Sequence, residues 1–137
     1  MALEATLVYE TQTAIPFTCA DGAGIEKGTV LKLTDPMTVA ASDGDVDIIA
    51  GIAAEEKIAS DGKTTIAVYT RGYFKVTSGG TIAVGAALIT NASSGAANEV
   101  ITAPVNAENI LGRSMETATD AQTLLIELAP YTANLAA

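Results

Sequence analysis

Histidine and tryptophan are absent from this sequence, and cysteine occurs once, at Cys19. Without an imidazole, a serine or cysteine nucleophile lacks its commonest activating base. One thiol and no histidine cannot build a tetrahedral zinc site, and a lone thiol forms no intrachain disulfide. Cys19 therefore reads as a small, partly buried apolar residue. Aromatic residues are also few, two Phe and four Tyr, so a core must be built from Ala, Val, Ile and Leu. Basic residues number seven against sixteen acids, for a net charge of −9. No Lys/Arg cluster is present to follow a phosphate backbone, which excludes nucleic acid as a partner. The acidity itself is a solubility feature. Apolar runs fall short of the roughly 18 residues of a membrane span. The start, Met1-Ala2-Leu3-Glu4, has neither a basic n-region nor an apolar h-region, so the expectation is synthesis in a cytoplasm-like compartment, with retention there or release by lysis.

What the chain does contain is punctuation and repetition. Asp21-Gly22, Asp43-Gly44, Asp61-Gly62 and Gly79-Gly80 mark turns. Between and beyond them lie short β-branched and apolar runs, at 29–33, 48–53, 65–69, 73–77, 86–90, 99–103, 110–115 and 123–128. Strands spaced by about ten residues suit a barrel or sandwich rather than a βαβ sheet. Two stretches, 54–57 and 104–109, have room for a turn or two of helix, with Pro104 in the first turn of the second. Three phrases recur in order, about sixty residues apart, as one folding unit used twice would require. Ile25 to Leu31 is echoed by Ile82 to Leu88, and Ile49-Ala50-Gly51 by Ile110-Leu111-Gly112. Asp61 to Thr64 is echoed by Asp120 to Thr123.

The first twenty residues differ. Leu3, Ala5, Leu7 and Tyr9 alternate with Glu4, Thr6, Val8 and Glu10 in the period of a strand. No turn signal pins the following segment to the body, and Pro16 suits an edge or an extended arm. The prediction is an all-β chain: a compact antiparallel β-barrel or sandwich with two pseudo-repeated halves. Residues 1–20 are expected to form an extended N-terminal arm and 21–130 a single β domain with repeats at about 25–76 and 82–128. A tail at 131–137 is expected to fray. At 137 residues and 13.9 kDa such a chain folds to roughly 6,700 Å² of surface. A mean hydropathy of +0.35 leaves apolar surface that should face a partner.

Candidate chemistry fails on inspection. Asp43, Asp45 and Asp47 open like a calcium loop, but Ile48 stands where glycine is needed and Ala54 where the bidentate acid is needed. Adjacent Glu55 and Glu56 point apart on either a strand or a helix. Neither a glycine-rich phosphate loop nor Ser-x-x-Lys occurs. No catalytic, cofactor-binding or metal residue is expected, and the chain does not read as an enzyme. Arg71-Gly72-Tyr73-Phe74 is the one dense cationic-aromatic patch; Arg71, Tyr73 and Phe74 are a candidate interface. Arg113 is expected to pair with Glu116 or with a partner's acid.

The order of these phrases resembles the phage capsid cement, or head decoration, proteins. The resemblance runs over about residues 20 to 130. It rests on Ile25-x-x-Gly28-x-x-Leu31, Ile49-x-Gly51-x-Ala53, Asp61-Gly62 before the strand ending at Val68 and Gly72, Gly85-x-x-Leu88, Leu111-Gly112-Arg113, and the closing strand Leu124 to Leu128. Ala121 departs from it, standing in the final turn where glycine would fit better. The resemblance implies a structural virion protein on the outer surface of an assembled icosahedral head. The major capsid protein would be its partner, and a homotrimer its expected state. Strand addition is the expected contact, with Leu3, Ala5, Leu7 and Tyr9 of the arm against a capsid sheet edge. Two alternatives stay open: another virion component, such as a tail element or head-fibre base, and a β carrier or adaptor domain. The last would need a modified lysine at a hairpin tip, and Lys57 and Lys63 lack the flanking residues for it.

Overall fold

A computed structural model describes the backbone of residues 3–45, 47–91 and 96–132; the last residues of the expected tail, 133–137, lie outside the described residues. Eleven strands and no helix occur among them. In chain order they are β1 (Thr6–Tyr9), β2 (Ile15–Thr18), β3 (Val30–Asp35), β4 (Thr38–Ala41), β5 (Ile49–Ala53) and β6 (Thr65–Tyr69). There follow β7 (Gly72–Ser78), β8 (Ala87–Asn91), β9 (Ala96–Thr102), β10 (Asn109–Ser114) and β11 (Thr123–Thr132).

These strands close into two five-stranded barrels with the same wiring. The first runs β2-β4-β3-β5-β6. The second runs β7-β9-β8-β10-β11, closed by the parallel pairing of β7 with β9 at Thr77↔Glu99 and Ser78↔Val100. Its counterpart in the first barrel is the parallel pair of β2 and β4 at Thr18↔Thr38. Even the isolated bridges repeat, Ile25↔Lys57 in one and Ile82↔Ala118 in the other. Closure removes the open sheet edges that would otherwise invite aggregation.

The unit of repetition differs from the expected one at both ends. β7, expected to close the first half, opens the second barrel, and its counterpart β2 lies within the segment expected to be an arm. That segment is extended, but it is part of the body. β1 runs antiparallel along β7 (Thr6↔Lys75, Leu7↔Phe74), and β2 is a stave of the first barrel (Ile15↔Val68, Phe17↔Ile66). Phe17 and Cys19 are buried inside it. A proline is tolerated in this stave because β2 meets β4 only at Thr18, which leaves one side of Pro16 unpaired. The two stretches with room for helix form turns instead. Lys57 exchanges both main-chain hydrogen bonds with Ile25, and Ala107 N–H closes a tight turn on the Pro104 carbonyl.

Alternation along the strands sorts side chains into two cores. Leu31, Ile66 and Val68 fill the first barrel with Phe17 and Val39. Phe74, Leu88, Leu124, Ile126 and Leu128 fill the second. The outward residues Val30, Ile49 and Ile52 of the first barrel belong to the second core, with Tyr69 packed against it. β5 is thus buried on both faces, which is why Ile49–Ala53 carries almost no polar residue. Asn98 of β9 seals this contact, its Oδ1 accepting from the buried Val30 N–H at 3.0 Å. The folded surface of 6786 Å² is that of one compact body of this mass.

Ala121, the departure noted in the final turn, has φ of 64° and donates its N–H to the Ser78 carbonyl. An L-residue pays about 1–2 kcal/mol in this region, partly offset by the extra freedom that glycine has when unfolded. Ala121→Gly is expected to stabilise the fold by about 0.5–1 kcal/mol, raising the thermal midpoint by about 2–5 °C in calorimetry.

Candidate functional site

The residues expected to make contacts divide by side. Ala5 and Leu7 pack against the second core, whereas Leu3 and Tyr9 are exposed. Register shifts between Leu7 and Tyr9, and the bulge turns Tyr9 outward, edge-on to Tyr73 at 6.0 Å. The alternation that suggested insertion into another protein therefore serves this chain's own core at two of its four positions. Phe74 is corrected likewise. It is 1% exposed and packs edge-on against Tyr69, because strand alternation drives it inward between Tyr73 and Lys75. Of the expected patch, exposed Arg71 and half-buried Tyr73 remain at the surface.

Beside them lies a shallow groove of about 530 Å³ on the outside of the second barrel. It is lined by the small residues Ala87, Gly112 and Ala129 together with Arg71, Arg113, Glu127 and Tyr131. Both arginines of the chain thus reach one groove. Arg113 donates from Nε to Glu127 Oε1 at 2.8 Å, not to Glu116, which pairs instead with Lys75 at 3.0 Å. Arg71 has no hydrogen-bond or ion-pair partner among the described residues. Tyr131 is 56% exposed. Sequence reading singled out Arg71 and Arg113 separately; Tyr131 lay at the start of the expected tail and had no signal.

Several acidic residues elsewhere hold turns and loops together. Asp47 accepts from the Ser42 hydroxyl and from the Asp43 and Gly44 N–H groups. Burial pushes its carboxyl up, but these hydrogen bonds prevail and hold it below the usual carboxylate range. Asp43 meanwhile pairs with Lys32 at 2.7 Å. Asp43 and Asp47 are thus held by hydrogen bonds and an ion pair, and no group of three or more potential metal ligands occurs among the described residues. Lys57 is 2% exposed, standing where the second barrel has Ala118. Its ammonium donates to the Asp21 and Ile58 carbonyls and to Asp61 Oδ1 at 3.2 Å. The Lys63 N–H, with Lys57, holds the Asp61 carboxyl low. Burial pushes the Cys19 thiol up, away from the reactive thiolate. Such groups fix loops; none is poised as an acid or a nucleophile.

Comparison with known proteins decides the family. A family model described as phage cement protein matches residues 9–129. The chain belongs to this family. No curated protein matches it. Among solved structures, the N base of the head fibre gp8.5 of bacteriophage phi29 superposes with a TM-score of 0.57 at 14% identity. The match covers 88% of this chain and 98% of that one. The likeness is one of fold. The cement protein is accordingly a structural component of a phage particle, a decoration protein of the head.

Proposed function

We propose that this cement protein binds the outer surface of an assembled icosahedral head as a homotrimer and bridges neighbouring copies of the major capsid protein. It does so without catalysis or cofactor. The family match over nearly the whole of both barrels carries the reading. Two closed barrels suit a clamp, since closure leaves little edge to rearrange under load. Strand addition fits one place, the outer edge of β1, which pairs with no strand among the described residues. There a capsid segment would gain main-chain hydrogen bonds, flanked by exposed Leu3 and Tyr9, while Ala5 and Leu7 stay inward. The fold likeness to a head-fibre base favours a second reading, in which the protein carries a fibre on the same shell.

Cryo-electron microscopy of source-phage heads lacking the protein, with and without added protein, tests both. Added density outside the shell at three-fold positions is the expected result. Density surmounted by a fibre favours the second reading. Density on the tail, or none, overturns the first.

A further inference from the structure

The two barrels share a face that one of them uses and the other leaves open. Val30 pairs with Ile52, and Ile52 with Tyr69, on the outside of the first barrel. All three pack against the second core, so this is the face by which the first barrel sits on the second. In the second barrel the same register gives Ala87 against Arg113 and Arg113 against Glu127. The matching glycines confirm the alignment. A methyl group added at Gly51 would lie 2.0 Å from the Tyr69 carbonyl oxygen, and one added at Gly112 would lie 2.0 Å from the Glu127 carbonyl oxygen.

The positions that bury Val30, Ile52 and Tyr69 in one barrel thus form the groove in the other. Repetition has produced a second docking face, and among the described residues nothing of this chain covers it. Its chemistry has changed from apolar to charged and aromatic, with Arg71, Arg113 and Tyr131 beside a single acid, Glu127, that pairs with Arg113. The chain carries a net charge of −9 with two arginines in all, and both reach this groove. Among the described residues Arg71 has no partner, and Arg113 binds Glu127 through Nε, which leaves its other guanidinium nitrogens to bind further carboxylate. Tyr131 offers a ring and a hydroxyl to the groove. A carboxylate-bearing segment of another protein would meet both arginines together here, on a chain that otherwise has sixteen acids against five lysines.

We infer that the Arg71–Arg113–Tyr131 groove is a docking site for an extended acidic segment of the capsid shell. This rests on the head-binding reading above and names where on the cement protein that contact forms. The groove lies apart from main-chain addition at β1 and recognises side chains rather than backbone.

The test is binding of purified protein to source-phage heads that lack it, read by co-sedimentation. The variants are Arg71→Glu/Arg113→Glu and, as a control of equal charge change on the first barrel, Lys32→Glu/Lys63→Glu. Circular dichroism melts confirm that each is folded, and Arg71→Ala/Arg113→Ala replaces the reversal if that one is not. Loss of at least tenfold in affinity for the groove variant, with the control near wild type, is expected, together with weakening of wild-type binding by added salt. If wild type binds and both variants bind equally well or equally poorly, the groove assignment is overturned while head binding stands. If wild type itself does not bind, the head-binding reading fails first. If the groove variant instead dissociates an oligomer in light scattering with head binding unchanged, the occupant is a second copy and the inference is wrong.

Discussion

Replacing Gly112 by alanine is expected to cost about 4 kcal/mol or more and to lower the melting temperature by about 10–20 °C. The added Cβ would lie 2.0 Å from the Glu127 carbonyl oxygen and 3.2 Å from the Ala129 nitrogen. Both atoms are main chain, so no side-chain rotation relieves the contact; β10 and β11 must separate, where Gly112 faces Leu128 and Arg113 faces Glu127. Overpacking of an ordinary core costs about 1–3 kcal/mol because side chains shift to accommodate it. Here two strands would have to part, and each carries a fully buried leucine, Leu111 on β10 and Leu128 on β11. Gly51→Ala meets the Tyr69 carbonyl at the same distance and should behave alike. Gly80, with nothing within 4 Å of its added methyl and no unusual φ, is the control. Gly80→Ala is expected to stay within about 0.5 kcal/mol of wild type. A Gly112→Ala protein that melts within a few degrees of wild type would show that the two strands do not approach as described.

That pair of glycines also explains how much of the fold the sequence discloses. The echoes at Ile25/Ile82, Gly51/Gly112 and Thr64/Thr123 are visible because the backbone constrains them. A close strand approach admits only glycine, and a turn into a buried strand needs fixed residues. Most strands are legible for the same kind of reason, as β-branched runs between Asp-Gly turns. β2 escapes because it is short and its partners distant, and β4 because it is short and joined to β3 by Pro36-Met37, which carries no Asp-Gly or Gly-Gly signal. Ile15-Pro16-Phe17-Thr18 shares no phrase with its counterpart Gly72–Ser78, and its pairing with Thr65–Val68 leaves no local mark. Val39 alone distinguishes β4 from a polar loop. The groove is illegible for another reason. Arg71, Arg113 and Tyr131 lie far apart in sequence and meet only because β10 and β11 pair and the loop before β7 folds beside them. Lys57 shows the converse. Its flanks, Glu55-Glu56 before and Ser60-Asp61 after, read as a solvated loop, yet it is buried because three oxygens converge on its ammonium.

Truncation separates the expected arm from the observed stave. Deleting residues 1–12 removes β1 and leaves both barrels with all their staves. It exposes part of Phe74 and the edge of β7, so a fall of several degrees in melting temperature with a cooperative transition is expected. Deleting residues 1–20 removes β2 as well. The first barrel then loses the antiparallel partner of β6, from Ile15↔Val68 to Thr18↔Thr65, and its closure onto β4 at Thr38. Phe17 and Cys19 leave its core, and loss of a buried Phe side chain alone costs about 3–5 kcal/mol. Against a total stability of about 5–15 kcal/mol, loss of a whole stave should abolish folding of the first barrel. Because Val30, Ile49 and Ile52 complete the second core, the second barrel should be weakened with it. Hydrogen exchange is the measurement. The longer deletion is expected to strip protection from the amides of Leu31, Ile52 and Val68, and the shorter one to leave it largely intact. Equal protection in both proteins would make residues 13–20 a dispensable arm after all. Capsid binding by the protein lacking only residues 1–12 then has a clear meaning: it lacks the β1 edge but keeps the arginine groove, so its residual affinity measures the groove alone.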